Sequence, residues 1–319
     1  MIICNLMGGL GNQIFQIFAT ISYAIKSKQK FNLLNVKQLG TGKTTIRYTF
    51  WDTFFSNLKP FLINEIPSNV NIIKEQNFEY NELPAMKLIY SDILLYGYFQ
   101  SYKYFEENYT TICKLIGIEK MKNNLIEKLK LNSIFLHLFT FQTPIIYDNS
   151  ALKAELLIYK GVNTISMHFR IGDYKNIQHV HPLSTYEYYK SALTYIQNKE
   201  SDKKFNIIYF CENDDIDDVL TIVNQLIQDF SNFTFTKVDS SLDDWEQMLL
   251  MSCCYHNIIA NSSFSWWGAY FNSNKDKIVC YPSKWFGDSV NNNTKDLCPE
   301  TWVQIHLFQP LEKVEPNLP

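Results

Sequence analysis

Short apolar runs alternating with helical patterns through the second half of the chain limit its fold more than any other feature. Residues 162–169 read as a strand, 184–197 as a helix with Ser184 as N-cap, and 205–211 (FNIIYFC) as a nearly all-apolar strand. Residues 214–230 read as a helix opened by acids, as its dipole prefers. Strands are expected at 233–236, 256–260 and 277–281, and helices at 243–254 and 263–271. Strands this apolar are buried on both faces, and parallel pairing needs the helices as crossovers. Residues 155 onward are therefore expected to form a Rossmann-like α/β domain. In such sheets ligands sit beyond the carboxyl ends of the strands. That rule singles out the loops 168–174, 212–215, 238–241 and 261–265.

The first half is less periodic. A strand at 2–7 and a helix at 12–28 open it, and one or two helices are expected within 102–129. The segment GTGKTT at 40–45 lacks the GxxxxGK[ST] spacing and a feeding strand, so it is not read as a phosphate loop. A chain of 319 residues suggests two domains, with the boundary in the turn-prone stretch 142–150 and units of 1–150 and 151–319. The net charge of −3 leaves no basic excess for nucleic acid, so any phosphate site must be local. No apolar run has the length of a membrane span, and the chain enters a strand without a charged leader. The 7 cysteines show no repeated spacing, as expected of reduced thiols, and Cys253-Cys254 read as buried bystanders. A cytoplasmic location is the expectation.

Four stretches carry candidate chemistry. In SMHFRIGDY, His168 and Arg170 alternate on one face of a strand end, Gly172 allows a turn and Asp173 follows. An arginine there can grip a phosphate with two prongs, or simply pair with Asp173. In NSSFSWWGAYF, Asn261 ends a strand and Ser262, Ser263 and Ser265 open a helix, whose free N–H groups suit an anion. Trp266 and Trp267 are expected in the core. The acid run from Glu212 to Asp218 reads as a solvated helix start, although Asp215-Ile216-Asp217 spells the DxD of metal-dependent glycosyltransferases. Asp239, after a strand, is a candidate acceptor from a nucleotide base or ribose, and Asp243-Asp244 read as a helix cap. Lastly, MGGLGNQIFQIF places Gly8, Gly9 and Gly11 at a strand-to-helix turn. The dinucleotide fingerprint needs a third glycine where Ile14 stands, and an acid about twenty residues on, which is missing. The glycines are expected to clear space at a cleft edge, and Asn12-Gln13 to offer amides to a hydroxyl-rich ligand.

Together, MGGLGNQIFQIF, GYFQSYKYF (residues 97–105), HFRIGDY and MLLMSCCYHNIIANSSFSWWGAYF (residues 248–271) resemble the bacterial α-1,2-fucosyltransferases of glycosyltransferase family 11. The resemblance implies a GT-B-like fold, two Rossmann-like domains facing across a cleft, with an N-terminal acceptor side and a C-terminal donor side. It implies GDP-fucose as donor, no required metal or cofactor, and inverting transfer to O2 of a galactose. The acceptor would be an oligosaccharide or a lipid-linked glycan. A lipid-linked acceptor at the inner membrane face would imply peripheral membrane association. By the matching motifs, Arg170 would neutralise the leaving diphosphate. Gly9, Gly11, His168, Asn261, Ser262, Ser263 and Phe264 would line the donor site, and Asn12 would face the fucose-phosphate region. Asp173 is the candidate base, with orientation of Arg170 as its other reading; His179 and His181 are further loop candidates. Two departures stand out: Ile171 replaces the second arginine common in the family, and Gln247 replaces an acid. Transfer to another position or acceptor, and a non-catalytic nucleotide- or glycan-binding module, are the competing expectations.

Overall fold

The structure, a computed structural model, describes residues 1–40, 46–85, 91–140 and 163–306. The expected boundary at 142–150 and most of GTGKTT lie outside those residues. The first half opens with β1 (Ile2–Cys4), α1 (Leu10–Lys26), β2 (Phe31–Leu34) and a two-stranded hairpin, β3 (Gln38–Leu39) with β4 (Arg47–Tyr48). It continues through β5 (Leu62–Ile63), β6 (Val70–Lys74), β7 (Asp92–Tyr96), α2 (Tyr109–Ile116) and α3 (Ile118–Thr140). The helical stretch expected within 102–129 breaks at Gly117, whose φ of +87° ends α2 in the left-handed region. The second half runs β8 (Thr164–His168), α4 (Tyr186–Lys199), β9 (Asn206–Phe210), α5 (Ile216–Asp229) and β10 (Thr234–Lys237). It ends with α6 (Asp244–Met251), β11 (His256–Ile258), α7 (Ser263–Tyr270), β12 (Val279–Pro282) and β13 (Val303–Ile305). Thr185, not Ser184, occupies the N-cap of α4.

Each half is built on a wholly parallel sheet, as expected of a GT-B-like α/β protein. The first is ordered β5-β2-β1-β7-β6 and the second β10-β9-β8-β11-β12-β13. In the first sheet the chain moves outward from β1 to β5, then returns from the far edge to lay β7 beside β1. In the second it moves outward from β8 to β10, then returns to lay β11 on the other side of β8. Each sheet therefore has a switch point, at β1/β7 and at β8/β11, where the loops leave in opposite directions and open a crevice.

A single core ties the two halves together. Phe15 and Phe18 on α1 pack against Trp266 and Trp267 on α7, with ring centroids 4.5–4.9 Å apart. Phe105 stacks on Trp267 at 5.2 Å. Both tryptophans are fully buried, as expected, and each indole N–H is satisfied: Trp266 donates to the Leu297 carbonyl and Trp267 to the Gly11 carbonyl, both at 3.0 Å. α1 is buried on nearly every side because it lies between its own sheet and α7, and its polar Gln13, Gln16 and Thr20 are fully buried with hydrogen-bond partners. No helix among the described residues is long and apolar enough to cross a membrane.

Candidate active site

The two switch points face one cavity of about 600 Å³. The four motifs that carry the family resemblance contain the four loops at those points: 5–9 after β1, 97–101 after β7, 169–174 after β8 and 259–262 after β11. Of the residues expected there, Gly9, Gly11, Asn12, His168, Arg170, Asp173, Ser262, Ser263 and Phe264 line the cavity.

Two helix N-termini meet at it. Gly9 is the N-cap of α1 and supplies no side-chain cap; Ser262 caps α7 by accepting from the Phe264 N–H at 3.3 Å. Neither helix has an acid in its first turn, whereas α4, α5 and α6 carry Glu187, Asp217 with Asp218, and Asp244 with Glu246. The positive ends of α1 and α7 are left for a ligand. Their contact is close. A Cβ on Gly11 would come within 2.4 Å of the Ser263 backbone, so glycine there lets the helices touch and does not clear space for a ligand. Gly9 has nothing within 4 Å of such a Cβ and is the glycine that opens onto the cavity. Gly8 makes the turn itself, with φ +75°.

Asn12 joins the halves. Its Oδ1 accepts from Ser263 Oγ at 2.6 Å and from Gln100 Nε2 at 2.8 Å. Gln13 does not offer its amide to the cavity: it is buried, and its Nε2 donates to the carbonyls of Gly8 (3.0 Å) and Tyr48 (2.9 Å). It fixes the glycine turn.

Arg170 stands at the carboxyl end of β8 with its fork held by two carboxylates, Asp173 at 2.5 Å and Glu212. Burial works against its charge, but these acids more than offset that and raise its pKa. Beneath it lies the Tyr174 ring, 5.0 Å from the guanidinium and stacked on His181 at 4.6 Å. The turn after it is pinned by Asp215, which accepts from the Gly172 N–H at 2.7 Å and pairs with Lys175. The first acid of the DxD letters is thus buried and occupied in holding this loop. Asp173 is shared: its second oxygen meets Arg47 from β4 at 3.4 Å. Each of its oxygens thus meets a guanidinium, one from each half. The geometry fits a residue that orients arginines better than a base. His168 is buried beside Phe264 and held neutral, its pKa pushed down to about 3 by burial and then by Arg170. Ile171, in place of a second arginine, turns away into a separate apolar cluster of the second half that includes Phe169, Tyr189 and Tyr209.

Two residues expected at the donor, Asn261 and Asp239, also lie outside the cavity. Asn261 is buried with its amide donating to the carbonyls of Pro182 (3.0 Å) and Trp285 (3.1 Å). Asp239 accepts from the Ser241 N–H at 2.8 Å, closing a local turn, and its neighbour Ser240 reaches the cavity instead. Others were missed. Asp244 and Gln247 line the cavity one helical turn apart, because Asp243 takes the capping role with Glu246. The strand-end rule that pointed to 238–241 would have found them if carried one turn further. Glu212 was read as solvated. Arg47 lies on a two-residue strand with no periodicity to announce it.

Paired switch points, converging helix N-termini and a strand-end arginine give a two-sheet α/β protein a cleft whose lining suits an anion. The chain belongs to glycosyl transferase family 11, whose description matches residues 1–306, and is a glycosyltransferase. It is 29% identical to the Escherichia coli O-antigen biosynthesis glycosyltransferase WbnK, over 94% of this chain and 99% of that one. It is 28% identical to an Escherichia coli alpha-1,2-colitosyltransferase, over 95% and 98%. Among solved structures it is similar to a mutant of Arabidopsis thaliana FUT1 in complex with GDP, at 9% identity and a TM-score of 0.43, covering 87% of this chain and 69% of that one.

Proposed function

We propose that this glycosyltransferase moves L-fucose from GDP-fucose to O2 of a galactose in a surface glycan such as O-antigen, with inversion and without a metal. The observation that carries the reading is the meeting of two acid-free helix starts and Arg170 on one cavity. Membership of family 11 and the similarity to the two Escherichia coli glycosyltransferases support it.

In this reading the diphosphate lies between the α1 and α7 starts, near Ser262, Ser263 and Phe264. Asn12 faces the sugar-phosphate junction. The galactose O2 attacks C1 of fucose, the C1–O bond to phosphate breaks, and GDP leaves with the electron pair. Arg170 and the helix N–H groups stabilise the charge that grows on GDP, the part a metal would otherwise play. The O2 proton leaves late, to a base or to water. A lipid-linked acceptor would bring the enzyme to the inner face of the membrane.

The test is transfer from GDP-fucose to lactose and related β-galactosides, with linkage read by NMR. An α-1,2 product formed equally well in EDTA is expected. Arg170→Ala should lower kcat by about a hundredfold or more, with a smaller loss of GDP affinity. Failure to bind GDP-fucose, together with no product on any galactoside, would overturn the reading. The colitosyltransferase relative favours a second donor, GDP-colitose, whose sugar lacks the 3-hydroxyl of fucose. Running both donors against each acceptor decides between them.

A further inference from the structure

The cavity holds two cations among the described lining residues, Arg47 and Arg170, and they come from opposite halves. Arg170 is already engaged at both prongs, by Asp173 and Glu212. Arg47 is held far more loosely. Its one ion pair among the described residues, to Asp173, is 3.4 Å long against roughly 2.8 Å for a good charged hydrogen bond, and its side chain is 40% exposed. Its backbone, by contrast, is fixed. Leu39 pairs with Arg47 across the β3–β4 hairpin, and the Tyr48 carbonyl accepts from Gln13, the amide that also holds the glycine turn. A firmly placed backbone thus carries a loosely tethered guanidinium into the cavity from the first half, on the other oxygen of the carboxylate that holds Arg170. Ile171 is buried away from the cavity and can supply no charge.

We infer that Arg47 is the second guanidinium on the donor diphosphate, delivered across the cleft from the first half. This rests on the reading of the cavity as a nucleoside-diphosphate-sugar site. A diphosphate presents anionic oxygens on two phosphorus atoms, more than the fork of Arg170 can satisfy while its acids remain. Without donor, Asp173 bridges the two arginines and keeps both at the cavity. With donor, a phosphate oxygen replaces Asp173 on Arg47 at little cost, because the pair it displaces is long and solvated. Arg47 then closes one side of the diphosphate and Arg170 the other.

The experiment is GDP and guanosine binding to wild type, Arg47→Ala and Arg47→Lys, by calorimetry for GDP and ligand-observed NMR for guanosine. Thermal melting checks that each variant is folded. Arg47→Ala should weaken GDP by about ten- to a hundredfold while leaving guanosine unchanged, and Arg47→Lys should recover part of the loss. GDP affinity unchanged in Arg47→Ala overturns the inference. So does an equal loss for guanosine and GDP, which would make Arg47 a strut between the halves. A raised acceptor KM with unchanged GDP affinity overturns it in favour of an acceptor contact. Wild type that binds no GDP overturns the donor reading and the inference together.

Discussion

Glu212 and Asp173 together hold the fork of Arg170, so an incoming diphosphate competes with two carboxylates for one guanidinium. Asp173 also has Arg47 to balance it, whereas Glu212, 60% exposed, has no second cation among the described residues. On the proposed reading it would face the donor diphosphate as a like charge. Glu212→Gln keeps the shape and removes that repulsion. We expect GDP to bind about fivefold more tightly, near 1 kcal/mol, with the gain shrinking as salt is raised. Calorimetry at two salt concentrations measures it, and weaker binding would show that Glu212 grips the ligand instead. Sequence placed Arg170, Asp173 and the helix-start serines in the site because strand ends and helix starts have local signatures. It could not rank the glycines, which look alike as letters. Only a neighbouring backbone, 2.4 Å from a Cβ at Gly11 and absent around Gly9, gives them different roles.

Among the elements, most of the second half was legible because strands such as β9 (NIIYF) are apolar nearly throughout and each helix opens on its own cap or acids. Of the first-half sheet only β1, expected as a strand at 2–7, was legible. β2 has 4 residues and β5 only 2, and their parallel partners lie some thirty residues away along the chain, beyond the reach of local periodicity. The edge strand β13 was missed for the same reason. The β7 loop shows how such an element is held. Glu75, just past β6, accepts from the N–H groups of Tyr98 (2.7 Å) and Phe99 (2.9 Å), where Phe99 takes φ +52°. The next residue, Gln100, positions Asn12. Burial pushes Glu75 up from 4.5 to about 7 despite those two bonds. The folded state therefore binds this proton more tightly than the unfolded chain. Its contribution to stability is full below about pH 4.5 and is lost as pH rises through about 7. Measured against Glu75→Gln, which does not titrate, wild type should lose up to about 3 kcal/mol over that range in urea unfolding. A difference that stays flat with pH would mean that Glu75 is ionised in both states.

At the scale of the molecule, two Rossmann-like halves would ordinarily be expected to move about a modest, polar interface. Here the interface is core. Phe15, Phe18 and Phe105 from the first half close around Trp266 and Trp267 from the second, and the contact excludes water from both tryptophans. Polar ties run alongside: Ser263 to Asn12, Ser101 Oγ to the Asp296 carbonyl at 2.7 Å, and Lys103 to Asp296 at 2.5 Å. Losing either half would expose these rings on the other, at about 3–5 kcal/mol for each large aromatic removed. Neither half can then melt first without destabilising its partner by an amount comparable to a typical domain's whole margin. We expect one calorimetric transition, with the van't Hoff enthalpy equal to the measured enthalpy. Trp267→Ala should lower that single transition without splitting it. Two resolved transitions in wild type would make the halves independent folding units. The cavity walls would then be free to part, and the close seat of α1 on α7 could not by itself fix the geometry of the donor site.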